Sequence, residues 1–146
     1  MKHPGFYVED LRVGATETSS RVVTESDIAK FAEVSGDHNP LHMDEEFARQ
    51  TRFGSRIAHG MLTASFVSAM LANHLPGPGC IYVSQSLKFK APVRIDDTVT
   101  VRVTITNVRA SRKLVTLKTE ALVGETLVLD GEALAHVPSR EGLETE

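Results

Sequence analysis

The chain has 146 residues, enough for one domain with a substantial hydrophobic core. Its formal net charge of −3 and the absence of any Lys/Arg cluster leave nucleic acid no electrostatic footprint. The single cysteine, Cys80, excludes an intrachain disulfide and metal sites built from several cysteines, and it fits a reducing compartment.

The first ten residues, M-K-H-P-G-F-Y-V-E-D, contain no apolar core of a secretory signal. The longest apolar segment, residues 61–75, carries Thr, Ser, Asn and His and is too short to span a bilayer. A cytoplasmic protein with no membrane partner is expected, forming one domain over residues 1–146 with flexible ends at 1–10 and 139–146.

Residues 17–23 read as a strand. Thr24 and Asp27 have capping-box spacing, with Asp in place of the usual Glu, so a helix opens there. Ile28, Phe31 and Ala32 supply its apolar face and Gly36 stops it. Residues 36–42 are expected to be loop, because Asn39-Pro40 disfavours helix. One or two helical turns follow at residues 44–50. From Gly60 the chain is apolar on nearly every helical face, which predicts a long buried helix ended by the Leu75-Pro76-Gly77-Pro78-Gly79 run.

After that the period becomes two. Ile81, Val83, Gln85, Leu87 and Phe89 alternate with polar residues, as do Val99, Val101, Val103 and Ile105. Segments 98–106, 114–123 and 126–137, joined by short polar turns, read as an antiparallel meander. One apolar helix and this run of strands imply an α+β layer arrangement. Sheet edges need cover, which pairing of two copies would supply.

Asp37 and His42 are the candidates for chemistry. Each has a plain structural reading: Asp next to Gly, Asn and Pro forms turns, and a histidine between Leu41 and Met43 fits a buried, satisfied ring. Together they read differently. Adding water to a carbonyl-polarised C=C needs one group to take a proton from water and one to deliver a proton to the α-carbon. A carboxylate and an imidazole sharing one water can do both. Asn39 or backbone N–H groups would help keep the Asp ionised. His38 and His42 have the i, i+4 spacing of helical zinc ligands, but Pro40 between them disfavours that reading. His59-Gly60-Met61 marks the helix start, where glycine either eases a tight entry or lets a carbonyl reach unpaired N–H groups. Ser68 either bonds back to the carbonyl of Ala64 or steadies the catalytic loop.

The stretch G-D-H-N-P-L-H-M-D at residues 36–44 resembles the hydratase signature of the MaoC-like, (R)-specific enoyl-CoA hydratases. H-G-M-L-T-A-S-F-V-S at 59–68, L-P-G-P-G at 75–79 and S-Q-S-L-K-F-K-A-P-V at 84–93 resemble the same family in the same order. The resemblance implies an α+β hot-dog fold, a long central helix wrapped by an antiparallel β-sheet, assembled as a homodimer or a dimer-based oligomer. It implies reversible hydration of trans-2-enoyl-CoA to (R)-3-hydroxyacyl-CoA, with no metal or redox cofactor and CoA as part of the substrate. By position, Asp37 and His42 match the catalytic pair, Gly60 the backbone donor to the thioester carbonyl, and Ser68 and Asn39 supporting roles. The family binds pantetheine in a tunnel with the phosphates at its mouth. Lys88, Lys90, Arg94, Arg109, Arg112 and Lys113 are candidates there, and each is equally readable as a solvated charge. Rival readings are a 3-hydroxyacyl-carrier-protein dehydratase of fatty-acid synthesis, a hot-dog thioesterase, and a non-catalytic acyl-CoA-binding module. Against the thioesterase, residues 61–75 contain no Asp or Glu, whereas thioesterases of this fold usually carry their carboxylate on the long helix.

Overall fold

The computed structural model describes residues 5–141. A 3-10 turn at Val8–Asp10 leads to strand β1 (Thr16–Val22) and helices α1 (Glu25–Ser35), α2 (Pro40–Met43), α3 (Glu45–Arg49) and α4 (Gly60–Asn73). Strands β2 (Ile81–Gln85), β3 (Lys88–Phe89), β4 (Thr98–Arg109), β5 (Leu114–Val123) and β6 (Thr126–His136) follow. All six strands form one sheet in the order β1-β4-β5-β6-β2, with β3 paired to another part of β6, and every pairing is antiparallel. Among the described residues no helix is long and apolar enough to cross a membrane.

The meander forms as its alternation predicts. Val99, Val101, Val103 and Ile105 of β4 are buried with Val115 and Leu117 of β5 and Ala133 and Ala135 of β6, because a period of two sends alternate side chains to one face. That face receives Leu62, Val67, Met70 and Leu71 of α4. Each large side chain buried this way contributes roughly 1.5–3 kcal/mol of transfer free energy. Packing, more than intrinsic propensity, therefore holds α4 as a helix.

Four local expectations are corrected. First, α4 is not buried all round: Met61, Ser65, Ala69 and Ala72 form an exposed stripe, because a single sheet covers only one side of a helix. Second, residues 81–89 are two strands rather than one. A bulge between Tyr82 and Ser84 breaks the alternation, so Ile81, Tyr82 and Val83 are all exposed on the sheet edge. Past Gln85 the chain runs against β6 at Gly131, where a Cβ would lie 1.9 Å from the Ser86 carbonyl oxygen. Only glycine permits that approach. Third, Pro40 does not keep its surroundings in loop but occupies the first turn of α2, capped by the Asn39 side chain. At that position the N–H that proline lacks has no helical acceptor to lose. Fourth, residues near both chain ends are packed together. Val8 is buried and its N–H donates to the Pro138 carbonyl at 2.8 Å, while the Ser139 hydroxyl and Arg140 N–H donate to Glu9. The rest of the expected flexible ends, residues 1–4 and 142–146, lies outside the described residues.

Candidate active site

Three successive side-chain turns order the loop that carries the acid. Helix α1 opens with the expected capping box, Thr24 and Asp27 each accepting the other's backbone N–H. It closes at Gly36 with φ 81°, a left-handed conformation that glycine adopts without strain. The Ser35 hydroxyl donates to the Phe31 carbonyl and accepts the Asp37 N–H at 3.1 Å. Asp37 Oδ1 then accepts the Asn39 N–H at 3.1 Å, and Asn39 Oδ1 accepts the Leu41 N–H at 3.0 Å. Asp37 is thus a turn former and a cavity-lining carboxylate at once, since the turn engages only one of its oxygens.

The connection between α3 and α4 clamps the other side of this loop. His42 Nδ1 lies 2.8 Å from the Ile57 carbonyl oxygen. A carbonyl only accepts, so Nδ1 carries the proton and Nε2 presents a lone pair. Arg56 Nε donates to the His42 carbonyl at 2.6 Å and its guanidinium pairs with Glu25 at 2.6 Å. His59, 1% exposed, places Nε2 3.0 Å from the Asp37 carbonyl oxygen. Its ring stacks on His42, centroids 4.1 Å apart and planes 32° apart, and takes the edge of Phe31 at 4.9 Å. Burial lowers the His59 pKa below the ordinary imidazole value, and neighbouring His42 and His38 push the same way; the Asp37 carbonyl and carboxylate oppose them without prevailing.

Helix α4 begins beside this pair. The N–H groups of Gly60 and Met61, in its first turn, have no intrahelical acceptor. A Cβ at position 60 would sit 2.6 Å from Cε1 of Phe89, so any larger residue there displaces that ring. Asp37, His42, His59 and Gly60 line a cavity of about 410 Å³ together with Val93, Val128 and Leu129, and Arg52 and Lys90 also line it. An ionisable pair and a backbone donor thus open onto a largely apolar volume of the kind that takes acyl chains.

The structure therefore brings together three of the residues singled out in the sequence: Asp37, His42 and Gly60. Asn39 does not line the cavity and acts on the loop through its two backbone bonds. Ser68 stands apart. It lines a separate groove of about 500 Å³ with Phe31, Met61, Tyr82 and Leu87. Of the cations considered for phosphate, Lys90 reaches the cavity, whereas Arg94 donates to Ser55 and Arg109, Arg112 and Lys113 cluster at the β4–β5 turn. Sequence reasoning passed over Arg52, Arg56, His59 as a partner of the loop, and Phe89. Only for His59 was there a signal, its place next to Gly60 at the helix start.

Asp37, His42 and His59 each bring one ligand-type atom to within 4.8 Å of the others. One nitrogen of each imidazole is already engaged by a main-chain carbonyl, Nδ1 of His42 by Ile57 and Nε2 of His59 by Asp37.

The MaoC like domain model matches residues 13–126. The chain is 52% identical over 134 residues to an (R)-specific enoyl-CoA hydratase of Rhodospirillum rubrum, covering 92% of this chain and 93% of that protein. It is 50% identical over 135 residues to a 3-hydroxybutyryl-CoA dehydratase of Methylorubrum extorquens, covering 92% and 86%. A mitochondrial 3-hydroxyacyl-[acyl-carrier-protein] dehydratase of Arabidopsis thaliana is 39% identical, covering 92% and 82%. Among solved structures, the (R)-hydratase from A. caviae involved in PHA biosynthesis superimposes with a TM-score of 0.86 at 42% identity, covering 89% of this chain and 99% of that one. The long helix α4 packed on an antiparallel sheet is therefore the hot-dog fold, and the chain belongs to the MaoC-like family.

Proposed function

We propose that this protein catalyses the reversible hydration of trans-2-enoyl-CoA to (R)-3-hydroxyacyl-CoA. The observation that carries the reading is the meeting of the Asp37 carboxylate, the free Nε2 of His42 and the Gly60 N–H on one apolar cavity. The thioester carbonyl accepts a hydrogen bond from the Gly60 N–H, where the partial positive charge of the α4 N-terminus favours an oxygen that becomes enolate-like. A water held between Asp37 and His42 Nε2 gives up a proton to this pair as its oxygen bonds to Cβ. The π electrons move toward the carbonyl oxygen. The protonated pair then delivers a proton to Cα on the same face, and the net change is addition of one water. CoA enters as part of the substrate, and the scheme routes no step through a metal or redox cofactor.

A homodimer belongs to the same reading. Ile81, Tyr82 and Val83 stand exposed on β2, an edge strand, beside the exposed Met61 of α4. Pairing two copies along this edge covers both features and extends the sheet.

The second reading, an acyl-carrier-protein thioester as substrate, is favoured by the 39% identity to the plant mitochondrial dehydratase. Arg52 and Lys90 suit the phosphate of either carrier. Incubation with crotonyl-CoA, following enoyl-thioester absorbance and free thiol in parallel, tests the proposal. Absorbance loss without thiol supports it; thiol release makes the protein a thioesterase. Turnover of the crotonyl-carrier-protein alone selects the second reading.

A further inference from the structure

We propose that His59 is a positioning residue for the hydration: its Nε2–H holds the Asp37 main chain, and so the carboxylate, in register with His42. The inference rests on the hydratase reading for its kinetic consequence and on geometry for its structural one. The acceptor of the 3.0 Å bond is the Asp37 carbonyl oxygen, so Nε2 must carry the ring proton. Nδ1 is then a bare lone pair, and among the described residues it is buried without a hydrogen-bond partner. A buried orphan acceptor is unfavourable and calls for a reason. Phenylalanine would fill the same place with no orphan, stacking on His42 and taking the Phe31 edge as the imidazole does. What phenylalanine cannot do is donate to the Asp37 carbonyl.

Two further features give that one bond its weight. His59 is the first residue before α4, adjoining the Gly60 amide, so a single residue ties the loop bearing the acid to the helix end bearing the carbonyl donor. Among the described residues the other hydrogen bonds of Asp37 are local, solvent-exposed turns to Ser35 and Asn39, and the links from Ile57 and Arg56 reach the loop further along, at Leu41 and His42. His59 supplies the cross-link from a buried anchor. Burial lowers the His59 pKa below the ordinary imidazole value, which agrees with a ring held as a main-chain donor through Nε2.

The test compares His59→Phe, His59→Gln and His59→Asn in the full chain. A glutamine amide nitrogen reaches the place of Nε2, whereas the shorter asparagine amide reaches that of Nδ1. Expected results are a kcat at least about tenfold lower for Phe and Asn, KM for crotonyl-CoA within about twofold of the parent, and recovery of most of kcat in Gln. Amide hydrogen exchange of residues 36–44 is read alongside: faster in Phe and Asn, near parental in Gln. If the Phe variant does not fold, the Gln–Asn contrast alone decides. Equal kcat and equal exchange in Gln and Asn, or undiminished kcat in Phe, overturns the proposal. A parent inactive on every thioester overturns the hydratase reading instead, and the exchange pattern still decides whether His59 holds the loop.

Discussion

Replacing Gly60 by alanine is the sharpest perturbation the structure offers. The added Cβ would stand 2.6 and 2.7 Å from Cε1 and Cδ1 of Phe89 and 3.2 Å from Cζ. All three atoms belong to a ring that is 54% exposed and free to swing outward, so the stability change stays within about 1 kcal/mol. Activity has no such escape. The methyl group crowds the approach to the Gly60 N–H and displacement of the cavity-lining Phe89 ring reshapes the wall beside it, and losing one donor to a developing oxyanion costs roughly 2.7–4 kcal/mol, about 100- to 1,000-fold in kcat. Thermal unfolding and kcat/KM on crotonyl-CoA, measured for Gly60→Ala and for Gly60→Ala/Phe89→Ala, separate the two contributions. The double variant removes the ring contact and leaves the methyl group, so it should recover only part of the loss. A Gly60→Ala enzyme within about threefold of the parent would mean that the carbonyl is not held at this amide.

Further outcomes follow from the same geometry. Asp37→Asn keeps the oxygen that accepts the Asn39 N–H, so it should unfold at the parental temperature while kcat falls about 100- to 10,000-fold; His42→Ala should lose comparable activity, and near-parental turnover in either would remove the pair from the mechanism. Arg56 is 10% exposed and serves both the His42 carbonyl and Glu25, so Arg56→Met should lower stability by roughly 1.5–3 kcal/mol in denaturant unfolding. Glu25→Gln, at a side chain 69% exposed, should matter far less. His59 has a folded-state pKa below its ordinary 6.5, so the unfolded chain takes up this proton first as pH falls. Stability is full above about pH 6.5 and declines below it toward the folded-state value, and His59→Gln should flatten that decline in thermal midpoints measured between about pH 7 and 5. Val83→Asp on the exposed β2 edge should shift sedimentation from dimer to monomer if two copies pair there.

The parts legible in the sequence are those whose cause is local. Thr24 and Asp27 sit three residues apart and cap α1 whatever the rest of the chain does. The valines of β4 alternate because one face is buried along its whole buried stretch. Asp37, His42 and Gly60 were singled out because their residue types and spacing suit one chemistry, and all three line one cavity. Pro40 was misread because proline in a helix's first turn and proline in a loop look alike until Asn39 is seen capping. The β2 edge was misread because its bulge answers to β6, about fifty residues further along, and the glycine that permits the crossing is Gly131. Phe89 against Gly60 and His59 against Asp37 are contacts across 29 and 22 residues, and no local pattern announces either.

The most direct test of the shared-water mechanism is hydration of crotonyl-CoA in deuterated water, with the configuration at both new centres read by NMR. Hydration through one shared water gives (R)-3-hydroxybutyryl-CoA carrying one deuterium at C2 on the face that received the oxygen, formed by the parent and not by Asp37→Asn. Addition to opposite faces, an (S) product, or free CoA in place of the hydroxy thioester would contradict a carboxylate and an imidazole working on one water above the Gly60 amide.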